Sequence, residues 1–287
     1  MEINGAFTVE RSADSTVERT FVNNGATLNI TGGTHSDSRS GNTIRNFVGN
    51  SGSGTVNMSG GTWSIGHILG VGGNGTGVFN LTGGDLMIFR GGHTLAGNPN
   101  SFGGNSGGSL SVGRGSGSGL FNITGGSLAT RIGVEVGDNG TFQVVGTGAS
   151  SIGIESNGSL DGHWYQQAGG ILSTAIDSSG ITAILIDDTG QDSVDPHARF
   201  ENGSILDLSF SDTPERSGTC TLLELENNAI DDQGLILAAG DAAAGWSFAI
   251  DNSGTNGLLT ATFTVTDPSS TALLGLGGLA LILRRRK

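Results

Sequence analysis

Lysine is almost missing from this chain: Lys287, the last of 287 residues, is the only one. Against 26 acidic residues and a formal net charge of −13, that scarcity argues against nucleic acid as a partner, because phosphate binding needs basic side chains that displace counterions. Cysteine is equally scarce. Cys220 stands alone, so it makes no internal disulfide and no cysteine zinc site. Within "TCTLLEL" it reads as a small buried hydrophobe on a strand. Only 4 residues are proline, and the 53 glycines follow no three-residue period, which excludes a collagen. No segment before the last twenty residues has helical periodicity. The N-terminus "MEINGAFTVERSAD" has no basic region followed by an apolar run, so no secretory leader is visible.

What is present is a repeat. "TLNITGG" (27–33), "TVNMSGG" (55–61), "VFNLTGG" (78–84) and "LFNITGG" (120–126) align without adjustment, and "TFQVVGT" (141–147) and "YQQAGG" (165–170) are weaker copies. The central amides are Asn29, Asn57, Asn80, Asn122, Gln143 and Gln166, spaced by 28, 23, 42, 21 and 23 residues. The period is near 22, and the interval of 42 is either two turns or one turn carrying the insertion "GNPNSFGGNSGG". In each copy apolar residues flank the amide, a hydroxyl follows, and Gly-Gly ends the run, as in a strand stopped by a sharp corner. Leu28 and Ile30, Val56 and Met58, Phe79 and Leu81, Phe121 and Ile123 are expected to face one way. Strand-like pieces such as "TWSIG", "DLMIF" and "LSVGRG" complete the unit.

Two or three short strands in about 22 residues make one coil of a β-solenoid, whose successive coils stack about 4.8 Å apart. The expected fold is all-β: a parallel β-solenoid (β-helix) of about 6–7 coils over residues 1–175, with the amides in a stabilising ladder. An acidic β-strand module is expected over 176–266, where "LDLSFS", "WSFAI" and "LTATFTVT" alternate as half-buried antiparallel strands do. The acidic excess lies on that side: residues 135–267 contain 20 acids against Arg199 and Arg216, while residues 1–134 hold 6 acids and 7 arginines.

Catalytic constellations are hard to assemble from these residues. His35, His67, His93, His163 and His197 have no ligand-like spacing and are expected at the surface. "GVGGNGTG" (70–77) precedes no helix and has no P-loop lysine, so it reads as a turn between coils. The acids of "IDDTGQDSVD", Asp187, Asp188, Asp192 and Asp195, form an acidic solvated loop or a calcium site lacking the spacing of an EF-hand. No nucleophile, base and orienting group emerge together, no cofactor is implied, and the expectation is a non-enzymatic protein.

The last residues, 267–287, comprise a proline, an uncharged stretch from Ser269 to Leu283, and the basic cluster Arg284, Arg285, Arg286 and Lys287. A helix over that stretch, including Thr271, Leu276 and Leu283, would span about 22 Å, less than the roughly 30 Å of a hydrocarbon core. The basic end would stay cytoplasmic. This tail, "VTDPSSTALLGLGGLALILRRRK", resembles that of the PEP-CTERM proteins of Gram-negative bacteria: a Pro-Glu-Pro motif, a short apolar helix and an arginine cluster. Pro268 matches the second proline, Asp267 replaces the glutamate, and Thr266 stands at the first proline. The "FNLTGG" units are likewise similar to the glycine-rich repeats of autotransporter-passenger-like solenoids.

The resemblance implies a membrane-inserted precursor, cleavage by an exosortase-type sorting enzyme, and release from the inner membrane to the cell surface or an extracellular biofilm matrix. Such export implies a leader upstream of this sequence. Competing expectations are a carbohydrate-binding or adhesive module touching extracellular polysaccharide, and a polysaccharide lyase or hydrolase needing clustered carboxylates beside a basic residue. Ice binding would call for a flat face of regularly spaced Thr, whereas the repeats show one hydroxyl per coil beside Asn.

Overall fold

The computed structural model describes residues 2–4, 8–11, 13, 15–17, 19–37, 45–89, 108–131, 133–155, 162–187, 198–212 and 217–265. All regular elements among them are strands. The chain winds repeatedly past the same places, so that, up to the last two strands, a strand pairs with its counterpart one turn later rather than with its sequence neighbour.

One sheet is wholly parallel. Its strands in spatial order are β1 (Glu2–Asn4), β4 (Phe21–Asn23), β6 (Arg45–Val48), β8 (Ile68–Val71), β10 (Ser109–Val112), β12 (Gly133–Val136), β15 (His163–Gln166), β18 (Ala198–Phe200) and β21 (Asp231–Asp232). The second sheet begins with β2 (Thr8–Arg11) and β3 (Ser15–Val17), which both pair with β5 (Ala26–Asp37). It continues through β7 (Ser53–Ile65), β9 (Thr76–Ile88) and β11 (Ser118–Thr130).

These long strands change register at the double glycine of each repeat. Gly33, Gly61, Gly84 and Gly126 there have φ between 74° and 83°, a conformation that side-chain-bearing residues rarely adopt. After β11 the bend becomes a break, and each turn carries two strands: β13 (Gly140–Val145) with β14 (Ala149–Ile154), β16 (Ile171–Ile176) with β17 (Ile184–Ile186), and β19 (Ile205–Phe210) with β20 (Gly218–Leu225). β22 (Ile236–Leu237) follows β19 in parallel.

The core is the space between the sheets. The predicted inward residues Leu28, Ile30, Val56, Met58, Phe79, Leu81, Phe121 and Ile123 are all buried. Register places Phe79, Phe121 and Phe142 in one column, with centroids 5.1 and 5.3 Å apart. Trp63 and Trp164 extend that stack at either side. Offset aromatic pairs of this kind add about 0.5–1.5 kcal/mol each beyond area burial. The approach of successive turns is close enough that a Cβ on Gly77 would lie 2.2 Å from the Val48 carbonyl oxygen, which explains why glycine opens that strand's buried row.

One open alternative is decided and two expectations need correction. Asn122 pairs directly with Asn80, so the interval of 42 residues is a single turn with an insertion. The parallel pairing runs past residue 175 without a break, through β16–β19 and β17–β20, because stacking requires alternation and not glycine. The stack therefore has more turns than 6–7, and "LDLSFS" is a parallel strand of it. Only "WSFAI" and "LTATFTVT" form the antiparallel pair expected, as β23 (Trp246–Asp251) and β24 (Gly257–Phe263) on the edge of β20, which makes the second sheet mixed. Phe210, Trp246 and Phe263 cluster there at 4.8 Å between centroids.

Candidate functional site

Where the strands alternate, the outward residues also fall into columns. On β5, β7, β9 and β11 the repeat asparagines point outward and bond from turn to turn. The Nδ2 groups of Asn57, Asn80 and Asn122 donate to the Oδ1 of Asn29, Asn57 and Asn80 at 2.9, 2.9 and 3.4 Å. The Oδ1 of Asn122 is buried without a partner, so the chain of amides stops before Gln143, which is aligned with it. Gln166 does not belong to this column. It lies inward on the all-parallel sheet, fully buried, and its Nε2 donates to the carbonyls of Gly170 and Ile205, both at 2.8 Å. The residue following Gln143 is Ser173, whose hydroxyl donates to Asp207 at 2.8 Å.

A groove of about 320 Å³ opens on the outer surface of the all-parallel sheet. Its floor forms because the outward column Phe47, Gly70, Ser111, Glu135 places small residues between large ones. The Phe47 ring leans over Gly70, where a Cβ would come 2.5 Å from Cε1, and its neighbour Phe21 stacks on it at 5.9 Å between centroids. At the other side Arg114 Nη1 lies 3.1 Å from Glu135 Oε2. Gln167 Nε2 donates to Glu135 Oε1 at 3.0 Å, so the carboxylate is held from two directions. Asn50 and Asn74, stacked at successive corners, together with Ser109 add polar groups to the rim. Sequence reading missed this groove, since its lining residues come from four separate turns and only the register brings them together.

A second outward hollow runs along the end of β14, β17 and β20, lined by Glu155, Asp187, Glu224, Glu226, Leu185 and Asn256 among others. Here Glu155, Asp187 and Glu226 follow one another at successive turns, each amide bonded to the strand before. Burial raises the Glu155 carboxyl above its usual range, against the attraction of Arg131, and Asp187 raises it further. Asp187 is thus placed at a turn edge; Asp188, Asp192 and Asp195 lie outside the described residues. Among the described residues no three or more His, Cys, Asp or Glu side chains converge as metal ligands.

The first turns have a polar interior. His35 and Asp37 face inward on β5 and are buried, as is Arg11. His35 Nδ1 lies 2.9 Å from the Ser15 hydroxyl and Nε2 2.7 Å from the Gly32 carbonyl. Burial pushes the Asp37 carboxyl up to about 6, against the pull of Arg11 and of the polar groups of Thr20 and Trp63. The surface expected for the histidines is thus wrong for His35 and for His67, which is 5% exposed. His163 is half-buried, and His93 and His197 lie outside the described residues. Cys220, on β20, is partly buried against the core.

The sorting residues Thr266, Asp267 and Pro268, the apolar positions Thr271, Leu276 and Leu283, and the basic cluster from Arg284 to Lys287 all lie outside the described residues, as does the expected C-terminal helix. Among the described residues no helix is long and apolar enough to cross a membrane. No family model, curated protein or solved structure matches this chain.

Proposed function

We propose that the protein is a β-solenoid scaffold of the bacterial cell surface or extracellular matrix, structural rather than catalytic, delivered through its C-terminal tail. The observation that carries this reading is the turn-on-turn register with an amide ladder along the outside. A stack held by repeated contacts between neighbouring turns makes a stiff, extendable body, the property a matrix component needs. The acidic composition supports the same reading, because a net charge of −13 keeps copies soluble and apart in a crowded matrix. In this reading Thr266, Asp267 and Pro268 are the sorting tripeptide, the stretch to Leu283 enters the inner membrane transiently, and the basic cluster stays cytoplasmic until an exosortase-type enzyme cuts.

The test is to express the gene with its own upstream region in a host that carries an exosortase and follow the protein by surface fractionation and C-terminal peptide mass spectrometry. A surface-located product ending near Pro268 is expected. A product that keeps its arginine cluster, or that stays in the cytoplasm, overturns the proposal.

A further inference from the structure

The groove on the all-parallel sheet is a built site for which a scaffold has no need. We infer that it binds a neutral oligosaccharide made of pyranose units. Its volume of about 320 Å³ lies at the small end of the range for small-molecule sites, about 300–1,000 Å³, which suits one or two sugar rings of a longer chain.

The chemistry matches the two sides of a sugar. A pyranose presents C–H groups on its face and hydroxyls round its edge, so its binding site needs an apolar surface beside groups that both donate and accept. Phe47 and Ile68 supply the apolar part. Ser109, Ser111, Asn50 and Asn74 supply hydroxyls and amides, each with donor and acceptor capacity. Arg114 and Glu135 give a donor and an acceptor side by side, the arrangement that vicinal hydroxyls can bridge.

Charge decides between a neutral ligand and an acidic one. Arg114 is the groove's one basic lining residue and is already paired with Glu135 at 3.1 Å, while Gln167 fixes Glu135 at 3.0 Å. A uronate or phosphate would have to displace that carboxylate and then sit beside it, whereas an uncharged sugar leaves the pair intact. Pre-positioning of Glu135 also lowers the ordering cost of binding. The inference goes beyond the scaffold reading, and the two fail separately: location is read by fractionation, and sugar binding by titration of the purified chain.

Isothermal titration of the 287-residue chain with cellotetraose and chitotetraose, and with tetragalacturonate as the acidic counterpart, tests the site. At least one neutral tetrasaccharide is expected to bind with a dissociation constant of about 1 mM or tighter. Ser111→Phe, which fills the floor from the solvent side, is expected to weaken binding about tenfold or more with an unchanged melting temperature. Arg114→Ala removes half of the ion pair at a side chain 60% exposed; it serves as the second variant should Ser111→Phe fail to fold, and it too should weaken binding. Ser59→Ala, on the other sheet, should leave binding as it was. Failure of both neutral sugars to bind, equal binding by the wild type and the folded groove variants, or a preference for tetragalacturonate overturns the inference.

Discussion

Two regions of the interior share one geometry and differ in chemistry. In the middle of the stack the inward column of the second sheet runs Trp63, Leu86, Leu128 and Ile152, and the column beside it runs Ile65, Ile88, Thr130 and Ile154. At the first turns the same columns hold His35 and Asp37, with Arg11 at the position that Ile30 takes one turn later. The backbone ladder is the same in both places. It follows that register is set by turn-to-turn hydrogen bonds and by steric fit, and that the chain tolerates polar groups inside it where they find one another. The middle gains by burial. At the first turns each buried charge gives up its water, and burial disfavours the charged form of both Arg11 and Asp37.

The largest effect is expected in the middle of the stack. Phe121→Ala removes a ring stacked between Phe79 and Phe142 and leaves a void that neighbouring turns cannot close. A loss of about 3–5 kcal/mol is expected, read from urea unfolding at pH 7.

The first turns should respond in the opposite sense. Asp37 has a folded-state pKa of about 6 against 3.8 for the free group. A raised carboxyl favours folding only while it is protonated, so its contribution is complete below pH 3.8 and is lost as pH rises through about 6. With 1.36 kcal/mol per pKa unit, the swing is about 3 kcal/mol at most. Asp37→Asn should flatten this part of the pH profile and raise stability at pH 7 relative to pH 4, measured by urea midpoints across that range. A variant whose pH profile matches the wild type would show that Asp37 is ionised without cost. The smallest effect is expected on the outside. Asn80→Ala breaks two amide bonds of the ladder, and a loss of about 1–2 kcal/mol should follow.

Much of this architecture was legible in the sequence, for a physical reason. Alternation with a period of two and a double glycine at a fixed offset describe a strand and its corner, so Leu28, Val56, Phe79 and Phe121 could be placed inside from their neighbours alone. Gln166 was misplaced because "YQQAGG" imitates the repeat while lying one side of the turn earlier, and a weak copy carries no signal about which sheet it joins. The turns after residue 175 were hidden because their corners lack the glycine pair, although their strands stack identically. The groove was illegible for a different reason. Phe47, Asn74, Ser111, Arg114 and Glu135 are ordinary residues at no motif spacing, and only knowledge of register shows that they share a surface.

One corner of the turn sets no length. From the all-parallel sheet to the second sheet the connections are short and alike, at 49–52, 72–75, 113–117, 137–139, 167–170 and 201–204. On the return they vary from 66–67 and 131–132 to 155–162, 187–197 and 89–108, yet the strands on both sides keep their register. Each doubling of a flexible loop costs only about 0.6 kcal/mol, so this edge is a natural grafting seam. A foreign peptide inserted at 89–108 would stand at one margin of the molecule, and short peptides placed in several of the return connections would be displayed there in a row, at a pitch fixed by the strand spacing of about 4.8 Å per turn.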